Sequence, residues 1–254
     1  MAGQQRVSDI PAERLAALNS GEIEARTLTE CLAVDFAELL PEVAPDIPAR
    51  STERMQDAAA QGITKRMALA AELLSDHFGP EAAERLGAHR SDTVRGWAAY
   101  CIGARADLDL AAKIGAIAPF ADDAHFGVRE WSWLAIRPDI AAEISEAIRL
   151  LTSWTDAPSA NLRRFATEAT RPRGVWCSHI KALKSDPEPA RPLLEPLRAD
   201  PSRYVQDSVA NWLNDASKDR PDWVRALCGE WGAEGASQET ERIVTRAMRS
   251  LRKP

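Results

Sequence analysis

The stretch AHFGVREWSWLAIR, residues 124–137, decides the fold because it is one of a family of related segments. SDTVRGWAAYCIG precedes it from Ser91, SANLRRFATEATRPR follows from Ser159, and SRYVQDSVANWLND follows from Ser202. Val94, Val128, Leu162 and Val205 fall at one position of the four copies, with steps of 34, 34 and 43 residues. TERIVTRAMRSL, from Thr240, reads as a fifth and weaker copy. Within each copy apolar residues recur at the three-and-four spacing of a helix face. Each is followed by a second helical pattern, such as IAAEISEAIRLL (140–151) or PARPLLEPLRAD (189–200).

Two helices per step of this length predict a solenoid, since one helical pair cannot bury its apolar face alone. No segment alternates as a strand does, and the alanine-rich composition favours helix. The expected architecture is all-α: a right-handed superhelix of HEAT-like repeats over residues 91–254, with same-position helices lining a concave groove. Residues 1–90 are helical but off the repeat pattern and read as an irregular cap, giving a single domain over 1–254. RMALAAELLSDHFG (66–79) and DIAAEISEAIRLLTSW (139–154) read as amphipathic helices. Pro80, Pro119, Pro138, Pro158, Pro172, Pro187, Pro201 and Pro221 are expected to stop or start helices.

The chain has 254 residues and a formal net charge of −6, enough length for a full core and no overall basic character. The charge is uneven. Residues 1–60 hold eleven acids against five bases, whereas 160–203 hold nine bases against five acids, which puts any anionic partner on the C-terminal half. Cys31, Cys101, Cys177 and Cys228 form no C-x-x-C pair. Buried free thiols fit better than a metal site, and no metal or cofactor is expected. No apolar run reaches membrane-spanning length, and the N-terminus has no signal-peptide core.

Carboxylates, arginines and tryptophans recur at related places on successive copies. Glu130 and Trp131 lie just inside the second. In the third, Arg164, Glu168 and Arg171 share one helix face by spacing. Pro172 is expected to end that helix and Arg173 to follow it. Trp176, His179, Ile180 and Leu183 are expected on the next helix. Asn211, Asp215 and Asp219 are spaced by four in the fourth copy. Glu130, Glu168 and Asp215 are expected to converge on one groove. Plainer readings stand beside this one. Arg164–Glu168–Arg171 also fits an exposed ion-pair ladder. Asn211 and Asp215 fit backbone caps, Trp97 and Trp133 fit the core, His125 and His179 fit cap or surface positions, and Arg163 fits a solvated face.

At VREWSW (128–133), RRFATEATRPRGVW (163–176) and SVANWLNDASKDRP (208–221) the sequence resembles the alkylpurine DNA glycosylases built from HEAT-like repeats, and the AlkC branch more than the AlkD branch. LNSGEIEARTLTECLAVDFAELL (18–40) resembles the opening of AlkC-type proteins. The likeness covers roughly residues 15–250. It implies excision of cationic N-alkylated bases, such as 3-methyladenine, from duplex DNA, by a monomer in the bacterial cytoplasm. Carried over by position, Glu168, Asp215 and Glu130 are the acidic residues, Trp176 and Trp131 face the base, Arg164 supports the site, and Arg171, Arg173 and Lys218 meet DNA phosphates. The expected form lacks the additional C-terminal immunoglobulin-like domain of some AlkC-type proteins. A non-catalytic scaffold for damaged or branched DNA, or for a protein partner, is the alternative.

Overall fold

A computed structural model describes residues 6–251, and these form helices and turns with no strand. Helices begin at each of the five related segments: α1 (Asp92–Ala104), α2 (Phe126–Ala142), α3 (Ala160–Glu168), α4 (Arg203–Ala216) and α5 (Gln238–Ala247). The helix starts are set locally. Ser159 and Ser237 accept hydrogen bonds from Asn161 N and Thr240 N, which occupies amide donors that a helix start leaves free. His125 Nδ1 accepts from Gly127 N at α2.

One device recurs. The residue after the repeat's apolar position reaches back to the carbonyls five and six residues earlier. Arg95 donates to His89 O and Arg90 O, Arg129 to Asp123 O and Ala124 O, and Arg163 to Ala157 O and Pro158 O. Gln206 donates to Asp200 O. Arg95 also holds Asp123 in a two-pronged ion pair, and Arg163 holds Asp200. Arg163 is therefore a structural clamp, not the solvated residue expected. Its carboxylate partner lies 37 residues away in sequence, beyond local inference.

The chain divides into two compact units: the described residues up to Leu108 with Asp123–Ile136, and Asp109–Asp122 with everything from Arg137 onward. The division falls inside the repeat region. In the first unit, α1 packs on helices Ile63–Phe78 and Ala82–Gly87. Trp97 is fully buried and meets Phe36 edge to face, with centroids 5.2 Å apart. A Cβ on Gly103 would stand 2.4 Å from Ala135 O, and one on Gly96 would stand 2.6 Å from Trp131 Cδ1. Gly103→Ala is expected to cost about 1–3 kcal/mol through forced separation of backbone, read as a lowered thermal midpoint.

In the second unit, α3 packs on α4 and α4 on α5. Helices Ile144–Thr152 and Arg191–Leu194 pack together behind them. Ile148, Leu151, Leu193, Leu194, Val209, Trp212, Leu213 and Ile243 form the core. Two prolines depart from the sequence reading. Pro119 lies in the last turn of Leu110–Ala121, and Pro138 lies inside α2, which runs on to Ala142 before a break at Glu143. A proline forfeits one helix bond, and packing of the surrounding turns outweighs that loss. Among the described residues, no helix is long and apolar enough to cross a membrane and no cluster is placed to hold a metal ion.

Candidate functional site

The second unit concentrates buried charge where α3 and α4 end. Glu168 is the last residue of α3 and Asp215 the penultimate residue of α4, and the two are 3% and 4% exposed. Burial of that degree needs cationic partners. Arg171 supplies both carboxylates at once. Its Nε and one terminal nitrogen donate to Asp215 Oδ2 at 2.9 and 2.6 Å, and the other terminal nitrogen donates to Glu168 Oε2 at 3.0 Å. Lys218 Nζ donates to Asp215 Oδ1 at 2.9 Å, and a terminal nitrogen of Arg164 stands 3.7 Å from Glu168 Oε1. Arg164 itself lies over the Tyr204 ring, 4.3 Å from its centroid, a cation–π contact that fixes its direction. Burial works against the Arg171 charge, but Glu168 and Asp215 more than offset it and hold the guanidinium above its ordinary range.

Arg171 does not share a helix with Glu168. α3 stops at Glu168, the Thr170 and Arg171 amides close tight turns onto Thr167 O and Glu168 O, and Arg171 stands past the helix end. The segment then runs irregularly to helix Lys181–Ser185, closed by Ile180 N donating to Pro172 O. Trp176 therefore begins no helix. It sits at the tip of this segment, 44% exposed beside the 56% exposed Val175, with a left-handed φ of 61°. That conformation costs a non-glycine residue roughly 1 kcal/mol or more. A Cβ on Gly174 would lie 2.3 Å from Cys177 Sγ, so a larger residue there would displace that thiol. Burial pushes the Cys177 thiol up, opposed by Arg137 and Arg171.

The structure thus brings together Arg164, Glu168, Arg171, Asp215 and Lys218. All three expected phosphate contacts are engaged within the chain: Arg171 by the two carboxylates, Lys218 by Asp215, and Arg173 by Asp219 through two bonds of 2.9 Å. The Arg173 pair holds the Asp219 carboxyl below its usual range. A depressed acid stabilises the fold above its unfolded value and loses that contribution as pH falls through the folded one. Arg173→Met is accordingly expected to cost about 0.5–1 kcal/mol near neutral pH. The difference should shrink as pH falls below the unfolded aspartate value of about 3.9, as measured by denaturation at several pH values.

Glu130 and Trp131 belong to the other unit. Glu130 is half-buried and accepts from Trp133 Nε1 at 3.0 Å. Trp131 is 2% exposed and packs against Gly96, so it is core and offers no open face to a base. It shares the repeat position of Trp97, which was the available signal. Two residues of the second unit carry roles that the sequence reading missed. Trp212 Nε1 donates to Thr170 O at 3.1 Å, and Arg137 donates to Ala169 O and Arg171 O. Arg137 occupies the repeat position of Arg171, and each precedes a proline. The alignment of copies held that signal.

Stacked helical pairs carrying a buried carboxylate pair on a shared arginine define a helical-repeat protein with a polar site on its C-terminal half. No family model matches the sequence. Alkylpurine DNA glycosylase AlkC of Pseudomonas fluorescens, solved bound to DNA containing an abasic site analog, superposes with a TM-score of 0.69 at 25% identity, over 98% of this chain and 65% of that one. AlkD2 of Streptococcus mutans gives 0.61 at 23% identity, over 79% of this chain and 97% of that one. The uncharacterized protein YhaZ of Bacillus subtilis (strain 168) is 41% identical over 122 residues, which is 48% of this chain and 34% of YhaZ. The chain shares the helical-repeat fold of these two solved structures. It spans about two thirds of the AlkC chain and one third of YhaZ.

Proposed function

We propose that this chain is a monofunctional DNA glycosylase that hydrolyses the N-glycosidic bond of cationic N-alkylated bases, 3-methyladenine among them, in duplex DNA. The observation that carries the reading is the buried Glu168–Arg171–Asp215 cluster, followed by a loop that exposes Trp176. An alkylated purine is already positive, so when the C1′–N bond breaks its electron pair leaves with a base that needs no added proton. The sugar becomes oxocarbenium-like, and carboxylates beside it stabilise the developing charge. Water then adds to C1′, and its proton passes to a carboxylate or to solvent. Trp176 offers a face that attracts a cationic base more than a neutral one. Arg164 orients Glu168 from above Tyr204, and Lys218 meets phosphate from its exposed position beside Asp215.

The test is incubation of the purified protein with duplex DNA treated with a simple methylating agent, with released bases identified by mass. Release of methylated bases is expected. Salt-dependent binding to such DNA without any release would instead support a non-catalytic scaffold.

A further inference from the structure

The four carbonyls that follow α3 each have an assigned donor: Arg137 for Ala169, Trp212 Nε1 for Thr170, Arg137 again for Arg171, and Ile180 N for Pro172. Carbonyls past a helix end ordinarily face water or a capping turn. Here one guanidinium takes two of them, and it also approaches Ser178 O at 3.5 Å, on the far side of the loop. Arg137 is 2% exposed, and its Nε has no hydrogen-bond partner among the described residues. A buried, incompletely satisfied guanidinium is a costly way to fill space. Its ion-pairing capacity is spent on backbone alone.

We propose that Arg137 is a positioning residue for the site. It pins the backbone from Ala169 to Ser178, and so places Arg171 between the two carboxylates and holds Trp176 at the exposed tip. The role in the reaction rests on the glycosylase reading above, whereas the role in the loop does not. A planar fork reaches carbonyls on both sides of the loop at once. The single ammonium of a lysine keeps the charge but cannot make the same set of bonds.

The test uses the full chain with Arg137→Lys and Arg137→Gln, each checked for folding by circular dichroism and thermal denaturation. Trypsin does not cut between Arg171 and Pro172, but it cuts after Arg173 once the loop opens. Cleavage there, followed by intact mass, is expected to be roughly tenfold faster in both variants. Single-turnover release of methylated base is expected to fall about ten- to a hundredfold, with DNA affinity changed by less than about threefold. If cleavage accelerates but the wild type releases no base, the loop assignment stands and the glycosylase reading falls. Cleavage at the wild-type rate in a folded variant, the lysine variant included, would overturn the proposal. Accelerated cleavage with undiminished base release would overturn it as well. So would loss of the folded state in both variants, which would make Arg137 a support of the whole unit.

Discussion

Glu168→Gln is expected to lower single-turnover release of methylated base about a hundred- to a thousandfold, with the protein still folded. The change is nearly isosteric. The glutamine Oε1 can still accept from Arg171, which is 3.0 Å from Glu168 Oε2, and Arg171 keeps its two bonds to Asp215. What disappears is negative charge beside the sugar as the bond breaks. Asp215→Asn is expected to act in the same direction, with an added loosening of Lys218, which is bonded to Asp215 Oδ1. Because the two carboxylates share one guanidinium, the double variant should lose less than the two single losses multiplied together. Undiminished release in both single variants would remove the assignment.

The second large effect is on stability. Arg171→Met is expected to destabilise the protein by about 3–5 kcal/mol, the cost of leaving buried charge without its partner. Glu168 and Asp215 are each under 5% exposed, so water cannot replace the lost bonds. Lys218 still serves Asp215, and Arg164 stands 3.7 Å from Glu168, which places the effect nearer the lower end. Urea denaturation reads it. Adding Glu168→Gln to the Arg171→Met chain should restore part of the loss, since one stranded charge is then gone. A loss below about 1 kcal/mol would show that the cluster is hydrated and that the pairing matters little.

Much of the fold was legible because helix starts are local. Apolar spacing and a capping residue lie within a few positions of one another, and α1, α3, α4 and α5 begin at the segments that the alignment marked. Helix ends were less legible. α3 ends at Glu168 and not at Pro172, since the carbonyls beyond it are taken by Arg137 and Trp212, more than thirty residues away in either direction. The nearness of Arg171 to Glu168 lies within what residue spacing suggested, whereas Asp215 on the same guanidinium does not. The engagement of Arg173 by Asp219 does not either, because charge density alone does not say which arginine is already partnered. Trp131 shows the same limit for aromatics: recurrence marks a position, and only packing says which way it faces.

The backward clamp at each helix start bears on where this chain tolerates change in length. Arg95, Arg129, Arg163 and Gln206 each fasten a helix to the turn before it, so insertions on that side would break the fastening. The far end of α3 is held in another way, by Arg137 and Trp212 on the carbonyls beyond it. The third step is nine residues longer than the two before it, and the surplus is accommodated between Glu168 and Lys181, where α3 gives way to irregular chain. The Val175–Trp176 tip is in that sense a graft on a repeat, lying beyond the clamps that set the helix starts.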